Sequence, residues 1–183
     1  MKYYRKITLK DRRECVLRNG TEADAQEVLD CFILTHEQTD WLLTYPDENT
    51  FTVEEEARFL KDRTESPDEI EIIAEVDGHV AGTAGILRLG TAHKIRHRAE
   101  FGISVDQKYW RLGIGRALIR ACIECARSAG YRQIELDVTA ENENAARLYQ
   151  SEGFVEYGRN PRGFNSRLTG WQEIIMMRME LNG

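Results

Sequence analysis

The chain has 183 residues and a formal net charge of −6. This length is enough for one well-buried core and short for two, so a single domain over residues 1–183 is predicted. The negative charge and the lack of any Lys or Arg run exclude a general affinity for nucleic acid or for anionic membrane. No stretch approaches 18 apolar residues, and the N-terminus lacks the apolar core of a secretion signal, so a cytoplasmic location is expected.

Two helices are predicted in the first third of the chain. The first starts at about Thr21, where Thr-Glu-Ala-Asp resembles a capping box with Asp in the last position. The second starts after Thr52, with Glu55 placed to reach back to the cap, and ends before Pro67. The polar and aromatic residues 36–51 between them are predicted to form a loop, either a substrate-contacting segment or a solvated connection.

Seven strands are predicted, most of them from alternating apolar and polar residues. They cover residues 15–18, 70–76, 80–89, 99–105, 134–138, 154–157 and 172–180. Asp77-Gly78 is a strong signal for a two-residue hairpin, and residues 159–170 are predicted to be a loop. A third helix from Gly113 with a left-handed cap at Gly130, and a short fourth from Asn142, complete the pattern. This order predicts an α+β fold with a mixed sheet of about seven strands and about four helices.

Residues 110–116, Trp-Arg-Leu-Gly-Ile-Gly-Arg, lie between a strand and the start of a helix. Backbone N–H groups at a helix start lack intrahelical partners and favour an anion, and glycines allow a phosphate to approach closely. The dinucleotide pattern does not fit because Leu118 stands where its third glycine belongs, and the P-loop pattern does not fit because Arg116 follows the second glycine. Two glycines alone leave phosphate binding open.

A second motif lies about 25 residues downstream. Residues 138–154 read V-x-x-x-N-x-x-A-x-x-L-Y-x-x-x-G-F, with the alanine, leucine and tyrosine on one face of a short helix. Together with the glycine loop, and in this order, the segment resembles the GNAT superfamily of N-acetyltransferases. The family's loop usually begins with Gln or Arg, but Trp110 stands there and Arg111 follows.

The resemblance implies a GNAT-like acyl-CoA acyltransferase fold in which residues 101–105 and 134–138 form two splayed strands, with the pantetheine of acetyl-CoA in the gap. It also implies a set of cofactor-binding residues: Ile103, Ser104, Val105, Arg111, Leu112, Gly113, Ile114, Gly115, Arg116, Asn142, Ala145 and Tyr149. From the residues alone, Asn142 is equally a helix cap, and the two arginines are equally solvated side chains at a helix start.

Acetyl transfer to an amine needs a proton acceptor for the amine and a proton donor for the departing thiolate. The resemblance implies Glu100 as general base and Tyr149 as general acid, while a solvent-facing carboxylate and a core aromatic are the structural alternatives. Asp137 is the reserve base, Glu135 a weaker one, and a water relay a further alternative. His97 is a candidate for the acceptor site, and Trp41 for its mouth.

The predicted function is an acetyl-CoA-dependent N-acetyltransferase acting on a primary amine of a small molecule or amino acid. Acetylation of protein amino groups and a non-catalytic acyl-CoA-binding sensor are the alternatives. The expected partners are acetyl-CoA and an amine acceptor, with a homodimer as a further expectation. No metal is expected, because Cys122-x-x-Cys125 has no second pair or His to complete a zinc site, and its spacing favours packing in the core.

Overall fold

The computed structural model describes residues 1–181, and these form eight strands and four α-helices around one mixed sheet. The strands are β1 (Tyr4–Thr8), β2 (Glu14–Asn19), β3 (Ile70–Val76), β4 (His79–Arg88), β5 (Arg98–Val105), β6 (Gln133–Thr139), β7 (Val155–Ser166) and β8 (Gly170–Glu180). The helices are α1 (Ala25–Glu37), α2 (Val53–Glu65), α3 (Ile114–Ser128) and α4 (Glu143–Ser151). The predicted α+β class with a mixed sheet is confirmed, with one strand more than expected.

The strand order in the sheet is β1-β2-β3-β4-β5-β6-β8-β7. All neighbours are antiparallel except β5 and β6, which are parallel. Their pairing covers only three positions, from Arg98 opposite Gln133 to Glu100 opposite Glu135. Beyond Glu100 the edge of β5 that faces β6 carries no ladder in the described chain, so the two strands splay apart. The predicted splay of residues 101–105 from the second strand is therefore confirmed.

Helix α3 packs on the sheet through one apolar face. Ile114, Leu118, Cys122 and Cys125 recur at helical spacing and are buried, as predicted. Full burial of a side chain such as Leu118 contributes about 1.5–3 kcal/mol to folding. All four cysteines are buried and free, which places Cys122 and Cys125 in the core. No helix within residues 1–181 is long and apolar enough to cross a membrane.

The helix starts largely follow the capping signals. The Thr52 hydroxyl accepts a hydrogen bond from the Glu55 amide, and the Glu55 carboxylate accepts one from the Thr52 amide, as predicted. At Thr21 the capping box forms with Asp24, but it opens a short 3₁₀ turn, and α1 begins only at Ala25. The predicted loop begins at residue 36, but α1 continues through Glu37. The connection to α2 therefore starts two residues later than predicted.

One strand was missed and one predicted loop was wrong, and both concern edge strands. No strand was predicted at β1, whose residues are mostly exposed and pair only with β2. Strand β7 continues to Ser166 through most of the predicted loop 159–170, with irregular register where it passes Pro161. An edge strand is held by backbone hydrogen bonds to one neighbour, so its side chains need not alternate, and it tolerates proline.

Candidate active site

The loop before α3 exposes its backbone amides. Arg111 and Gly113 adopt left-handed conformations, with φ of 63° and 107°, and Gly113 is the N-cap of α3. The first intrahelical bond at this end runs from the Ala117 amide to the Gly113 carbonyl, at 3.1 Å. The amides that precede Ala117 in the first turn therefore have no intrahelical acceptor and are available to an anion.

The surface of this loop is open where a ligand would approach. A Cβ added to Gly113 would meet no atom within 4 Å, and one added to Gly115 would meet only Leu148, at 3.5 Å. Both glycines face the same cavity. The missing side chains therefore leave the backbone itself as the cavity wall.

A cavity of about 480 Å³ runs from this loop along the splayed end of β5. Its walls come from the turn after β1, the end of α1, the end of β5, the glycine loop and α4. They include three cationic side chains, Lys10, Arg111 and Arg116, and no carboxylate. In a chain with a net charge of −6, this composition is a local reversal of charge that suits an anionic ligand.

The structure brings most of the predicted cofactor-binding residues to this cavity. All of them line it except Leu112 and Ile114. Ile114 is buried in the core, and Leu112 is half-buried, with its carbonyl accepting a 3.2 Å hydrogen bond from the Lys10 amide. The main chain of these two residues forms part of the loop, but they do not line the cavity.

Tyr149 lies on the buried face of α4 and lines the cavity. Its ring packs edge-on against Phe101 at 6.2 Å and Phe154 at 5.9 Å, which fixes its position. Burial raises the pKa of the Tyr149 phenol, so it carries its proton at neutral pH. Asn142 caps the same helix, with its side-chain oxygen accepting from the Ala145 amide at 3.2 Å.

Trp110 occupies the loop position where the motif usually has Gln or Arg. Its indole Nε1 donates a 2.7 Å hydrogen bond to the carbonyl of Val105 at the end of β5. The ring lies nearly parallel to Trp41, 6.4 Å away, and both rings line the cavity. The tryptophan at this position thus connects the loop to the splayed strand and adds an aromatic ring to the cavity wall.

The predicted carboxylates lie outside the cavity wall. Glu100 is exposed and stands at the last paired position before the splay, opposite Glu135. A bidentate contact with Arg98 lowers the pKa of Glu135. Asp137 is two residues further along β6, and partial burial, reinforced by the charge of Glu135, raises its pKa. Glu135 is thus neutralised by Arg98, while Glu100 and Asp137 have no ionic partner among the described residues.

His97 is also exposed and lies outside the cavity, one residue before β5. Its carbonyl accepts hydrogen bonds from the Arg132 and Gln133 amides, at 2.8 and 3.2 Å, where β6 begins. This position is at the closed end of the β5–β6 pair, away from the splay.

A profile of the acetyltransferase (GNAT) family matches residues 32–154, which is more than half of the chain. The chain belongs to this family. Its structure is similar to that of a GNAT-family acetyltransferase from Streptococcus pneumoniae, with a TM-score of 0.86 and 28% identity, covering 91% of this chain and 99% of that one. It is also similar to yncA from Salmonella typhimurium, a putative acetyltransferase solved with acetyl-CoA, with a TM-score of 0.80 and coverages of 92% and 95%. The identity there is 19%, so that likeness shows the fold alone.

Curated relatives agree on the family. The N-alpha-acetyltransferase RimI of Mycobacterium tuberculosis is 34% identical over 113 residues, which are 62% of this chain and 68% of that protein. Human N-acetyltransferase 8B is 35% identical over 89 residues, which are 48% of this chain and 39% of that protein. The chain therefore spans well under half the length of the human relatives that it matches.

Several cavity residues of this GNAT protein were missed from the sequence. They are Lys10, Thr35, Thr39, Leu42, Tyr109, Asn144, Leu148 and Ile119. Asn144 and Leu148 lie inside the second motif, which is a signal that could have found them. Lys10 and Thr35 come from distant segments with no local motif, and only the tertiary fold brings them to the loop. Within residues 1–181 no group of His, Cys, Asp and Glu side chains is arranged to hold a metal ion.

Proposed function

We propose that this protein is an acetyl-CoA-dependent N-acetyltransferase that acts on a primary amine of a small molecule or amino acid. The observation that carries the proposal is the cationic cavity, in which Lys10, Arg111 and Arg116 and the start of α3 meet at one end. Acetyl-CoA carries several phosphate charges and a long arm that contains two amides. The cavity offers cationic side chains to the phosphates and an unpaired strand edge to the amides.

The unpaired edge is the part of β5 beyond Glu100. Strand β5 is bonded to β4 along its other edge, so alternate residues of this stretch direct their N–H and C=O groups into the gap to β6, where they can pair with the two amides of pantetheine. An N–H in this stretch, at Val105 or a neighbour, is placed to stabilise negative charge on the thioester oxygen. Trp110 holds the Val105 carbonyl and so fixes the end of this edge.

The proposed chemistry uses one proton acceptor and one proton donor. A free amine titrates near about 10.4 and is mostly cationic at neutral pH, so Glu100, or Asp137 through water, takes its proton. The amine nitrogen then forms the bond to the acetyl carbon as the carbon–sulfur bond breaks. The Tyr149 hydroxyl gives its proton to the departing sulfur, the new amide nitrogen releases its second proton to water, and the phenolate takes a proton back from water.

Two exposed carboxylates without ionic partners favour a cationic acceptor on this face of the sheet. Glu100 and Asp137 both lie on β-strands at the splay and share one face, because Glu100 pairs with Glu135 and Asp137 follows two residues later. They would attract an ammonium group and lose that attraction once the amine is acetylated. The acceptor's small size and a homodimer stay predictions.

A second candidate is acetylation of a protein N-terminus. The similarity to the relative named N-alpha-acetyltransferase RimI favours it. The exposed position of Glu100 is compatible with an extended peptide as well as with a small molecule.

A panel of acceptors assayed for coenzyme A release tests both candidates. Amino acids, diamines and peptides with free N-termini are compared at one acetyl-CoA concentration, with Tyr149→Phe as the control for enzyme-dependent release. Release with free amino acids or diamines supports the first candidate, and release with peptides alone supports the second. Acetyl-CoA binding with no amine-stimulated release would instead favour a non-catalytic sensor.

A further inference from the structure

A second cavity of about 250 Å³ lies beside the first, in the groove between β1 and the start of α3. It is lined by Arg5, Ile7, Leu17, Gly113, Arg116, Ala117 and Arg120. Gly113 and Arg116 line both cavities, so the second one opens directly behind the glycine loop. The Lys10 amide bonds the Leu112 carbonyl, which fixes the turn between β1 and β2 against that loop.

Three arginines and no carboxylate line this second cavity. Arg5 makes a bidentate contact with Glu124, at 3.0 Å for each nitrogen, and Arg116 and Arg120 share Glu152, at 2.8 and 2.7 Å. Three guanidinium groups thus face two carboxylates, which leaves one net positive charge. These contacts also hold the arginines in place, so little side-chain entropy is lost when a ligand binds.

Each guanidinium keeps unused donors. Among the hydrogen bonds of residues 1–181, none uses Nε of Arg5 or Nη1 of Arg116 and Arg120. Arginine donors recognise phosphate oxygens through charge-assisted hydrogen bonds, and a phosphate monoester can accept from several of them at once. Ile7, Leu17, Gly113 and Ala117 complete the lining, so the three guanidinium groups are the charged side chains of this cavity.

We propose that this second cavity binds the 3′-phosphate of coenzyme A. The inference rests on the proposed function, because it needs the pyrophosphate of the same molecule at the start of α3. Coenzyme A carries one further phosphate, a monoester on the ribose next to that pyrophosphate. The shared wall at Gly113 and Arg116 puts the arginine-lined cavity beside the pyrophosphate position. Arg5 and Arg120 are then the residues that select coenzyme A over its 3′-dephospho form.

Calorimetry with coenzyme A and 3′-dephospho-coenzyme A tests this assignment. The wild-type protein is expected to bind coenzyme A at least about 10-fold more tightly than the dephospho form, or about 1.4 kcal/mol. The double variant Arg5→Ala/Arg120→Ala is expected to reduce this ratio to below about 3-fold while still binding the dephospho form like the wild type. Both side chains are about half exposed, so the variant is expected to fold, and the single variant Arg120→Gln serves as a milder second test.

The matched control is Arg147→Ala, which removes an exposed arginine of α4 that pairs with Glu143. The control is expected to keep the full preference for coenzyme A. Equal affinity of the wild-type protein for the two ligands would overturn the inference alone, as would a preference that survives in the double variant or is lost in Arg147→Ala. A wild-type protein that binds neither ligand would overturn the proposed function and this inference together.

Discussion

The Ser166 hydroxyl donates a 2.6 Å hydrogen bond to Oδ2 of Asp40, which joins two segments 126 positions apart in the chain. The same carboxylate accepts from Thr169 at 2.9 Å and, through Oδ1, from the Tyr45 hydroxyl at 3.1 Å. The turn between β7 and β8 thereby anchors the connection after α1. That connection carries Trp41, so the anchor holds one aromatic wall of the cavity.

Asp40→Asn is expected to destabilise the protein by about 1–3 kcal/mol. The variant keeps one acceptor oxygen, but its NH₂ group replaces the other. Hydroxyl and amide donors that bond this oxygen in the wild type then face a second donor and lose their acceptor. Chemical denaturation at neutral pH measures the change. The matched control, Asp47→Asn, removes an exposed contact with Arg167 and is expected to cost less than about 0.5 kcal/mol. Equal losses in the two variants would show that Asp40 is no anchor.

Acid should weaken this anchor. Although burial alone raises the pKa of Asp40, the hydrogen bonds from Ser166, Thr169 and Tyr45 outweigh it and lower the pKa. A lowered pKa in the folded state means that the stabilisation is present above the ordinary range of an aspartate and is lost as the pH falls through the folded value. The stability difference between wild type and Asp40→Asn should therefore shrink below about pH 4.

Gly113→Ala and Gly130→Ala form a matched pair at the two ends of α3. Both glycines have positive φ, 107° and 83°, and neither substituted Cβ would meet an atom within 4 Å. Each substitution should cost about 1–2 kcal/mol of stability through backbone strain. Of this pair only Gly113 faces the cavity, so Gly113→Ala should also weaken acetyl-CoA binding and Gly130→Ala should not. Gly115 faces the cavity as well, and Gly115→Val should weaken acetyl-CoA binding at least ~10-fold. Calorimetry that finds Gly113→Ala and Gly130→Ala equal in affinity would remove the loop from the cofactor site.

Tyr149→Phe should lower kcat by about 10²-fold and leave the Kd of acetyl-CoA unchanged. The substitution deletes the proton donor but keeps the ring that packs against Phe101 and Phe154. Tyr109→Phe is the control, because Tyr109 is also a buried tyrosine that lines the cavity. Its kcat should stay within about 3-fold of wild type. A Tyr149→Phe enzyme with normal kcat for a good acceptor would make Tyr149 a packing residue.

Local signals explain why much of this fold was predictable. The capping pair at Thr52 and Glu55, the Asp77-Gly78 hairpin and the glycines around α3 each act within a few residues. The periodic burial of α3 adds a pattern that needs no knowledge of the rest of the chain. Strands β1 and β7 gave no comparable pattern, because backbone bonds to a single neighbour hold them and their side chains are mostly exposed.

The same distinction divides the candidate site. The glycine loop, Asn142 and Tyr149 lie in two short motifs, so the sequence alone pointed to them. Lys10 and Thr35 reach the cavity only because the fold brings in the turn after β1 and the end of α1. The second cavity was unpredictable for a related reason, since Arg5 lies on β1, the strand that was missed.

Glu71 gives the protein a stability that depends on pH. Its carboxylate lies over Gly85 on the neighbouring strand, where a Cβ would overlap Oε2. Burial, reinforced by the charge of Glu56 against the opposing effects of Thr83 and Arg63, raises the pKa of Glu71 to about 7. Because the folded state holds this proton more tightly than the unfolded state, stability should fall as the pH rises from about 4.5 to about 7.

Glu71→Gln should remove that loss. The variant is expected to gain up to about 3 kcal/mol over wild type at pH 8 and almost nothing at pH 4, because a rise in pKa from 4.5 to about 7 corresponds to about that energy. Thermal unfolding across the pH range measures the difference. Glu54→Gln, at an exposed position of α2, is the control and should follow the wild-type profile. A Glu71→Gln curve parallel to wild type would contradict the raised pKa of the Glu71 carboxyl.

Glu100 stands at the vertex of the splay, at the last pair between β5 and β6, and this position motivates its test as a general base. If Glu100 takes the amine proton, Glu100→Gln should reduce the rate most near neutral pH, by about 10²-fold. The deficit should shrink as rising pH supplies free amine without help. The measurement is the pH–rate profile of kcat/KM for one good acceptor in both proteins.

Asp137→Asn separates the two candidate bases on this face. Partial burial and the charge of Glu135 raise the pKa of Asp137, which brings it nearer to the working pH of a base. If Glu100 is the base, Asp137→Asn should raise KM for a cationic acceptor, because it removes a carboxylate that attracts the ammonium group. The shape of the pH profile should stay unchanged. A Glu100→Gln profile parallel to wild type, together with a changed profile in Asp137→Asn, would transfer the role of base to Asp137. Parallel profiles in both variants would leave proton removal to water, with the two carboxylates acting by attracting the ammonium group.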